Sequence, residues 1–261
     1  MVSLSNHERS SFDRLRMSGK SVLDRRLTFR ALVLLLVLLP VACCLLPLSP
    51  VYGLGGYDEY FAVNPIGMGE AYGASYGDIS SIFWNPAGIG AADRFQFSSL
   101  YTDLYGLDYI TQTYLGFIVP WGKTVHGFSY ATNAISFDFS TSSSVFSSLG
   151  TLKYKETTIA YSIARSILFR NFYVGANLKY YDVSSNLQQA QGQATGSGLD
   201  VGALLRLTQK LSMGVSIKNI VGGTEWKSGL NEELPMIYRL GIQYEISDRG
   251  RILADLVGDE D

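Results

Sequence analysis

Reactive side chains are scarce in these 261 residues. There are 2 histidines, His7 and His126, and 2 cysteines, Cys43 and Cys44. No His/Cys/Asp grouping has the spacing of metal ligands, so no metal site is expected. Cys43 and Cys44 are adjacent and poorly placed to bridge each other, and no third cysteine offers a partner. No acid–base pair can be placed, and Gly67-Met68-Gly69-Glu70, with no strand before it, leaves a dinucleotide fingerprint incomplete. The sequence therefore predicts no catalytic residue and no cofactor. Charged residues make up 17% of the chain, against roughly 25% in soluble domains. A formal charge of −2 gives no electrostatic case for nucleic acid as a partner.

The cations that do cluster are near the start. Lys20, Arg25, Arg26 and Arg30 precede Ala31 to Leu46, an uncharged apolar run interrupted by Pro40. The run is short for a bilayer span of about 20 residues. A basic region, a short apolar region and then small residues describe a secretory signal. Residues 1–53 are thus read as a leader and cleavable signal peptide, with Met17 as a candidate start and cleavage after Gly53. Two alternatives stand beside this. One is an uncleaved inner-membrane anchor. The other is lipid attachment at Cys43 or Cys44, although Leu39-Pro40-Val41-Ala42 fits a lipobox poorly.

Residues 54–92 form a second unit. Glycines at 67, 69, 73 and 77, and Pro86, break any long helix, and the stretch has no strand alternation. Asp78 can cap a short helical turn at Ile79 to Ile82. Asn85 can bond backbone groups at the following turn, and Pro86 fixes its φ.

From residue 93 to 261 the chain alternates. Aromatics make up 13% of the whole chain and glycines number 27, a mix that suits strands with one apolar face and crowded small positions. Phe172, Val174, Ala176, Leu178 and Tyr180 oppose Tyr173, Gly175, Asn177, Lys179 and Tyr181. Leu211, Met213, Val215 and Ile217 oppose Ser212, Gly214, Ser216 and Lys218. Tyr238, Leu240, Ile242, Tyr244 and Ile246 oppose Arg239, Gly241, Gln243 and Glu245. Earlier segments, such as Tyr109 to Trp121, alternate imperfectly.

A soluble sandwich and a membrane barrel both give such a pattern. Segments of about ten residues, aromatics near their ends, and connections that alternate long and short favour the barrel. The long connections are read at Ser184 to Ser197 and Gly222 to Glu233, the short ones at Gln209–Lys210 and Asp248 to Arg251. Ser140 to Ser148 is read as a surface loop. Asp200, Arg206, Lys218, Arg239 and Glu245 must then face the lumen, because Lys or Arg at mid-bilayer costs about 2–4 kcal/mol. The rival is an exported periplasmic β-sandwich or binding module that never inserts.

Ile66-Gly67-Met68-Gly69-Glu70-Ala71-Tyr72, followed by Asp78-Ile79-Ser80-Ser81-Ile82-Phe83-Trp84-Asn85-Pro86-Ala87-Gly88, resembles the FadL-type outer-membrane proteins, and more closely their PorV/PorQ relatives. Glu70 departs from the family pattern by standing where a second glycine would be. Leu234 to Gly241 resembles a late strand of the same family. The resemblance implies an all-β transmembrane antiparallel barrel, its N-terminal segment folded inside as a plug containing short helices. It implies residence in the outer membrane, among lipid. Its two branches imply either passage of hydrophobic small molecules or work with type IX secretion components. The plug motif falls on Gly67, Met68, Gly69, Asp78, Trp84, Asn85, Pro86, Ala87 and Gly88. About nine strands are counted where the family has more and even numbers are the rule. The acidic end Asp259-Glu260-Asp261 makes a poor last strand. Missing C-terminal strands, or closure of eight strands into a small barrel, are the two ways to reconcile the count.

Overall fold

The computed structural model describes residues 62–138, 151–186, 192–247 and 250–259. The leader, the signal segment, both cysteines and the Ser140 to Ser148 stretch lie outside the described residues.

One antiparallel sheet dominates. Its strands are β1 (Gln96–Asp103), β2 (Ile110–Trp121), β3 (Thr124–Asp138), β4 (Thr151–Ser166), β5 (Phe172–Ser185), β6 (Gln193–Arg206), β7 (Leu211–Trp226), β8 (Asn231–Glu233), β9 (Ile237–Ser247) and β10 (Gly250–Asp259). Each pairs with its sequence neighbour, except that three-residue β8 hangs on β7 while β9 pairs with β7 directly. Nine strands therefore run in meander order. Among the described residues β1 and β10 do not pair with each other, so the wall is unclosed and an eight-stranded closure does not form.

The period-two pattern is obeyed. On β5, Leu178 and Tyr180 are exposed while Tyr173, Asn177, Lys179, Tyr181 and Val183 are buried. On β9, Tyr238, Leu240, Ile242 and Tyr244 are exposed while Gly241 and Gln243 are buried. The oily face points away from the molecule and the polar face points in. That is the reverse of a soluble sandwich, whose apolar faces meet in a dry core.

Two expectations about connections, and one about the acidic end, need correction. Ser184 to Ser197 is not a long loop, since β5 continues to Ser185 and β6 begins at Gln193. Gly222 to Glu233 is a hairpin, because β7 runs to Trp226 and β8 follows at Asn231. In both, glycines that look like turn residues are instead places of close approach. A Cβ at Gly196 would lie 2.6 Å from Thr224 Cγ2, and one at Gly222 would lie 3.0 Å from Ser197 O. Nor does the acidic end spoil the last strand, for Asp259 pairs with Ile237.

Seven of the ten described strands, β2 to β7 and β9, are also longer than ten residues. β4 and β7 have 16 each, roughly 54 Å at about 3.4 Å per residue. That exceeds what a tilted crossing of a hydrocarbon layer of about 30 Å requires.

Candidate functional site

The residues before β1 lie against the inner face of the sheet. They begin with a short helix, α1 (Val63–Gly67), which composition did not suggest. Gly69 and Glu70 then both take left-handed φ values of 61° and 65°. At 69 the requirement is conformational, since a Cβ there would meet nothing within 4 Å. Met68 packs into the apolar cluster beneath. Two 3-10 helices follow, Ile79–Phe83 and Pro86–Ala91. The Asp78 carboxylate accepts from Ser80 N at 2.7 Å and caps the first. Asn85 Oδ1 accepts from Ala87 N at 3.1 Å and caps the second. Pro86 occupies the first position of that helix, where its missing N–H costs nothing. Gly88 is forced by space: a Cβ would lie 2.5 Å from Ser75 O and 2.7 Å from Ser81.

Every long strand touches this segment, which means the sheet curls around it. The approach is closest along a belt of glycines. Gly175 pairs with Gly202, and Gly214 with Gly241, on β5, β6, β7 and β9. A Cβ at Gly175 would lie 2.5 Å from Pro86 C, and one at Gly241 2.7 Å from Ala74 N. Ala87 is fully buried against this belt.

Asn85 is the hub. It is fully buried, and its Nδ2 donates to Gly73 O at 2.7 Å within the segment and to Ala203 O at 3.1 Å on β6. Side chains of the wall take up further backbone carbonyls. Ser212 donates to Ala74 O at 2.9 Å, Ser216 to Trp84 O at 2.8 Å, and Asn177 to Ile82 O at 2.6 Å. Gln96 on β1 works both ways, donating to Gly77 O at 2.6 Å and accepting from Ile79 N at 3.0 Å. These bonds satisfy the backbone of an irregular segment shut away from water, where an unmet polar group costs about 1–3 kcal/mol.

Two ion pairs flank the belt. Lys179 Nζ lies 2.8 Å from Asp200 Oδ1, and both side chains are almost wholly buried. Asp200 also accepts from Asn177 Nδ2 at 3.1 Å and from the backbone N–H of Asn219 at 3.0 Å. Asn219 reaches that position through a bulge. The register slips between Leu199 and Val201, Asn219 adopts φ 52°, and Lys218 and Asn219 both end up buried. On the other side, Arg239 Nη1 lies 2.9 Å from Asp255 Oδ2 and donates to Glu70 O at 3.0 Å. The same Asp255 oxygen accepts from Tyr72 N at 2.9 Å and Gly73 N at 2.8 Å. Arg206 stacks 4.3 Å above the Tyr76 ring, whose hydroxyl donates to Glu245 at 3.0 Å.

The remaining flank is apolar. Tyr72, Ile79, Ile82, Phe83, Trp84 and Ile89 pack with Tyr114 and Ile118 of β2 and Val125 and Ala131 of β3. Trp84 meets Tyr72 edge-on at 6.2 Å. Burial of such side chains is worth roughly 1.5–3 kcal/mol each. It also pushes the Tyr72 phenol up to about 12, with the nearby charge of Asp78 adding to the effect.

Of the five charged residues singled out in the sequence, Asp200, Arg206, Lys218, Arg239 and Glu245 all stand on the inner side, and four of them (Lys218 excepted) take part in the contacts just described. Asp255, Lys179, Asn177, Ser212, Ser216 and Gln243 are equally engaged but were not singled out. Asp255 stands on β10 among the alternating Ile252, Ala254 and Leu256, where no local pattern marks it. Among the described residues no group of three or more His, Cys, Asp and Glu side chains is placed to hold a metal. His126 faces outward, its Nδ1 2.7 Å from the Tyr161 hydroxyl.

No protein-family profile matches the chain, and no curated protein matches it by sequence. Solved structures do match by fold. A TodX monoaromatic hydrocarbon channel variant, the deltaS2S3 mutant, superposes with TM-score 0.54 at 12% identity, covering 80% of this chain and 70% of that one. The Pseudomonas putida toluene transporter TodX gives 0.50 at 13% identity, over 79% and 69%. A Pseudomonas aeruginosa FadL homologue gives 0.49 at 12%, over 75% and 67%. The chain thus shares the antiparallel β-barrel fold of the TodX structures, here with an unclosed wall.

Proposed function

We propose that this chain is the wall and plug of an outer-membrane channel for hydrophobic small molecules, and that it has no catalytic role. The carrying observation is the inversion of the sheet: large apolar side chains are exposed on every long strand except β6, and residues 62–92 pack against the inner face. A soluble protein rarely exposes an apolar surface of this extent. Residues 54–92 serve as the plug, with Gly67, Met68, Gly69, Asp78, Trp84, Asn85, Pro86, Ala87 and Gly88 shaping it. Asp200, Arg206, Lys218, Arg239 and Glu245 serve as its lumen-side anchors. The TodX structures are those of a monoaromatic hydrocarbon channel and a toluene transporter, which supports transport as the role. The PorV-like alternative, service to type IX secretion components, rests on the sequence motif only.

Insertion is tested by outer-membrane fractionation and by migration on an unboiled gel, where a folded barrel runs differently from the boiled chain. Extraction by carbonate into the soluble fraction would rule out the membrane reading. Transport is tested by uptake of a labelled monoaromatic hydrocarbon in cells with and without the gene. Unchanged uptake together with a secretion defect would move the assignment to the PorV side.

A further inference from the structure

The four short connections, β2–β3, β4–β5, β6–β7 and β9–β10, all lie at one end of the sheet. Lys123, Arg165, Arg170, Lys210 and Arg251 sit in or beside them, all exposed. Arg94, exposed just before β1, joins this end because Gln96 pairs with Ile118 near the end of β2. Pairing sets these cations in one row. Thr124, next to Lys123, pairs with Arg165. Arg206 N donates to Asn171 O at 2.9 Å, which puts the Arg170 turn beside the end of β6. Glu245, paired with Arg251, donates its N–H to Lys210 O at 2.8 Å. Among the described residues the one exposed acid at this end is Asp93. The opposite end has the other sign: Asp103, Asp108, Asp138, Asp182, Glu225, Glu232, Glu233 and Asp259 are exposed there, against Lys153, Lys155 and Lys227.

Between the cations stand uncovered apolar side chains. Trp121 is 78% exposed, Leu168 85%, Phe169 59% and Leu207 48%. Cations alone would suit any polyanion, but a polyanion would leave these four in water. Indole and phenyl rings settle at head-group level, with Lys and Arg reaching to phosphate, where a bilayer is anionic.

We propose that the short-turn rim is a docking surface for anionic phospholipid. Lys123, Arg165, Arg170 and Lys210 hold head-group phosphates while Trp121, Leu168 and Phe169 enter the acyl boundary. This rests on the reading that the outer face lies in lipid.

The test reconstitutes the full chain in phosphatidylcholine vesicles with a minor fraction of phosphatidylglycerol, one lipid or the other brominated, and reads tryptophan quenching. Brominated phosphatidylglycerol is expected to quench about threefold more than brominated phosphatidylcholine at equal mole fraction. Molar salt should abolish the preference, and free glycerol phosphate should not compete. The K123Q/R165Q/R170Q/K210Q variant should quench equally with both lipids, while K153Q/K155Q at the far end keeps the preference. Equal quenching in the unaltered, inserted protein overturns the proposal and leaves the wall reading standing. Competition by free glycerol phosphate overturns it too, pointing to a soluble anion site. Failure to insert in either lipid removes the wall reading and this proposal together.

Discussion

Arg239 on β9 and Asp255 on β10 form an ion pair at 2.9 Å whose two members also hold the inner segment, Arg239 by Glu70 O and Asp255 by Tyr72 N and Gly73 N. One carboxylate oxygen therefore ties the last strand of the wall to the beginning of the plug. The Asp255→Ala variant strands a mostly buried guanidinium and two backbone donors. Its expected cost is about 3–5 kcal/mol, read as a lower urea midpoint in detergent micelles. Faster proteolysis within residues 62–76 should accompany it. An unchanged cleavage rate would mean that the contact does not hold the segment.

Lys179 and Asp200 make the second test. Asp200→Ala leaves a buried ammonium and is expected to destabilise by about 3–5 kcal/mol. The double variant Lys179→Met/Asp200→Leu should recover most of that loss, because the charge that needed a partner is gone. If single and double variants unfold at the same midpoint, the pair is not coupled.

Gly175→Val places a side chain where Pro86 C already lies 2.5 Å from the nearest Cβ position. The segment must shift, and single-channel conductance in planar bilayers should rise several-fold over the unaltered protein. Ala176→Val, one residue on and facing outward, is the control and should behave as the parent. Equal conductance in the two variants would contradict the close packing.

Glu70→Gly should stabilise. A left-handed residue with a Cβ costs roughly 1–2 kcal/mol, and the Glu70 contact that matters is made by its backbone carbonyl, which glycine retains. The urea midpoint should move up by the equivalent of about 1 kcal/mol. A downward shift would mean that the Glu70 side chain contributes something the backbone does not.

Tyr72 carries a pH dependence. Its phenol is raised in the folded state from the ordinary 10.0 to about 12, chiefly by burial. The neutral form is therefore the one that folding favours. Its contribution is fully present below pH 10 and declines as pH rises from 10 towards 12. Tyr72→Phe should flatten the fall of stability across that alkaline window. A spectrophotometric titration of parent minus variant should show one tyrosine ionising late; ionisation near pH 10 would contradict its burial.

Strand order and facing were legible wherever the inner face is polar. Asn177, Lys179, Ser212, Ser216, Arg239 and Gln243 alternate with Leu, Val, Ile and Tyr, and no other period fits. The signal faded in β2 and β3 because Tyr114, Ile118, Val125 and Ala131 face inward against Phe83 and Ile82, so both faces there carry apolar residues. Gly196, Gly222 and Gly223 read as loop because local sequence does not distinguish a glycine that turns from a glycine that makes room. Asp255 is 183 residues from Tyr72, and nothing in its neighbourhood signals a backbone partner so far away. The bulge at Asn219 is equally silent, since asparagine there competes with many ordinary strand positions.

The belt at Gly175, Gly202, Gly214 and Gly241 bears on the order of assembly. Strands without side chains at their middle offer each other little to grip across the hollow, and it is residues 62–92 that supply the grip. That segment precedes all ten strands found among the described residues, so each can be laid down on it in turn, as staves are set around a mandrel. Deleting residues 62–92 should then give hairpins that pair but do not curl, visible as aggregated β-structure that never acquires resistance to boiling detergent.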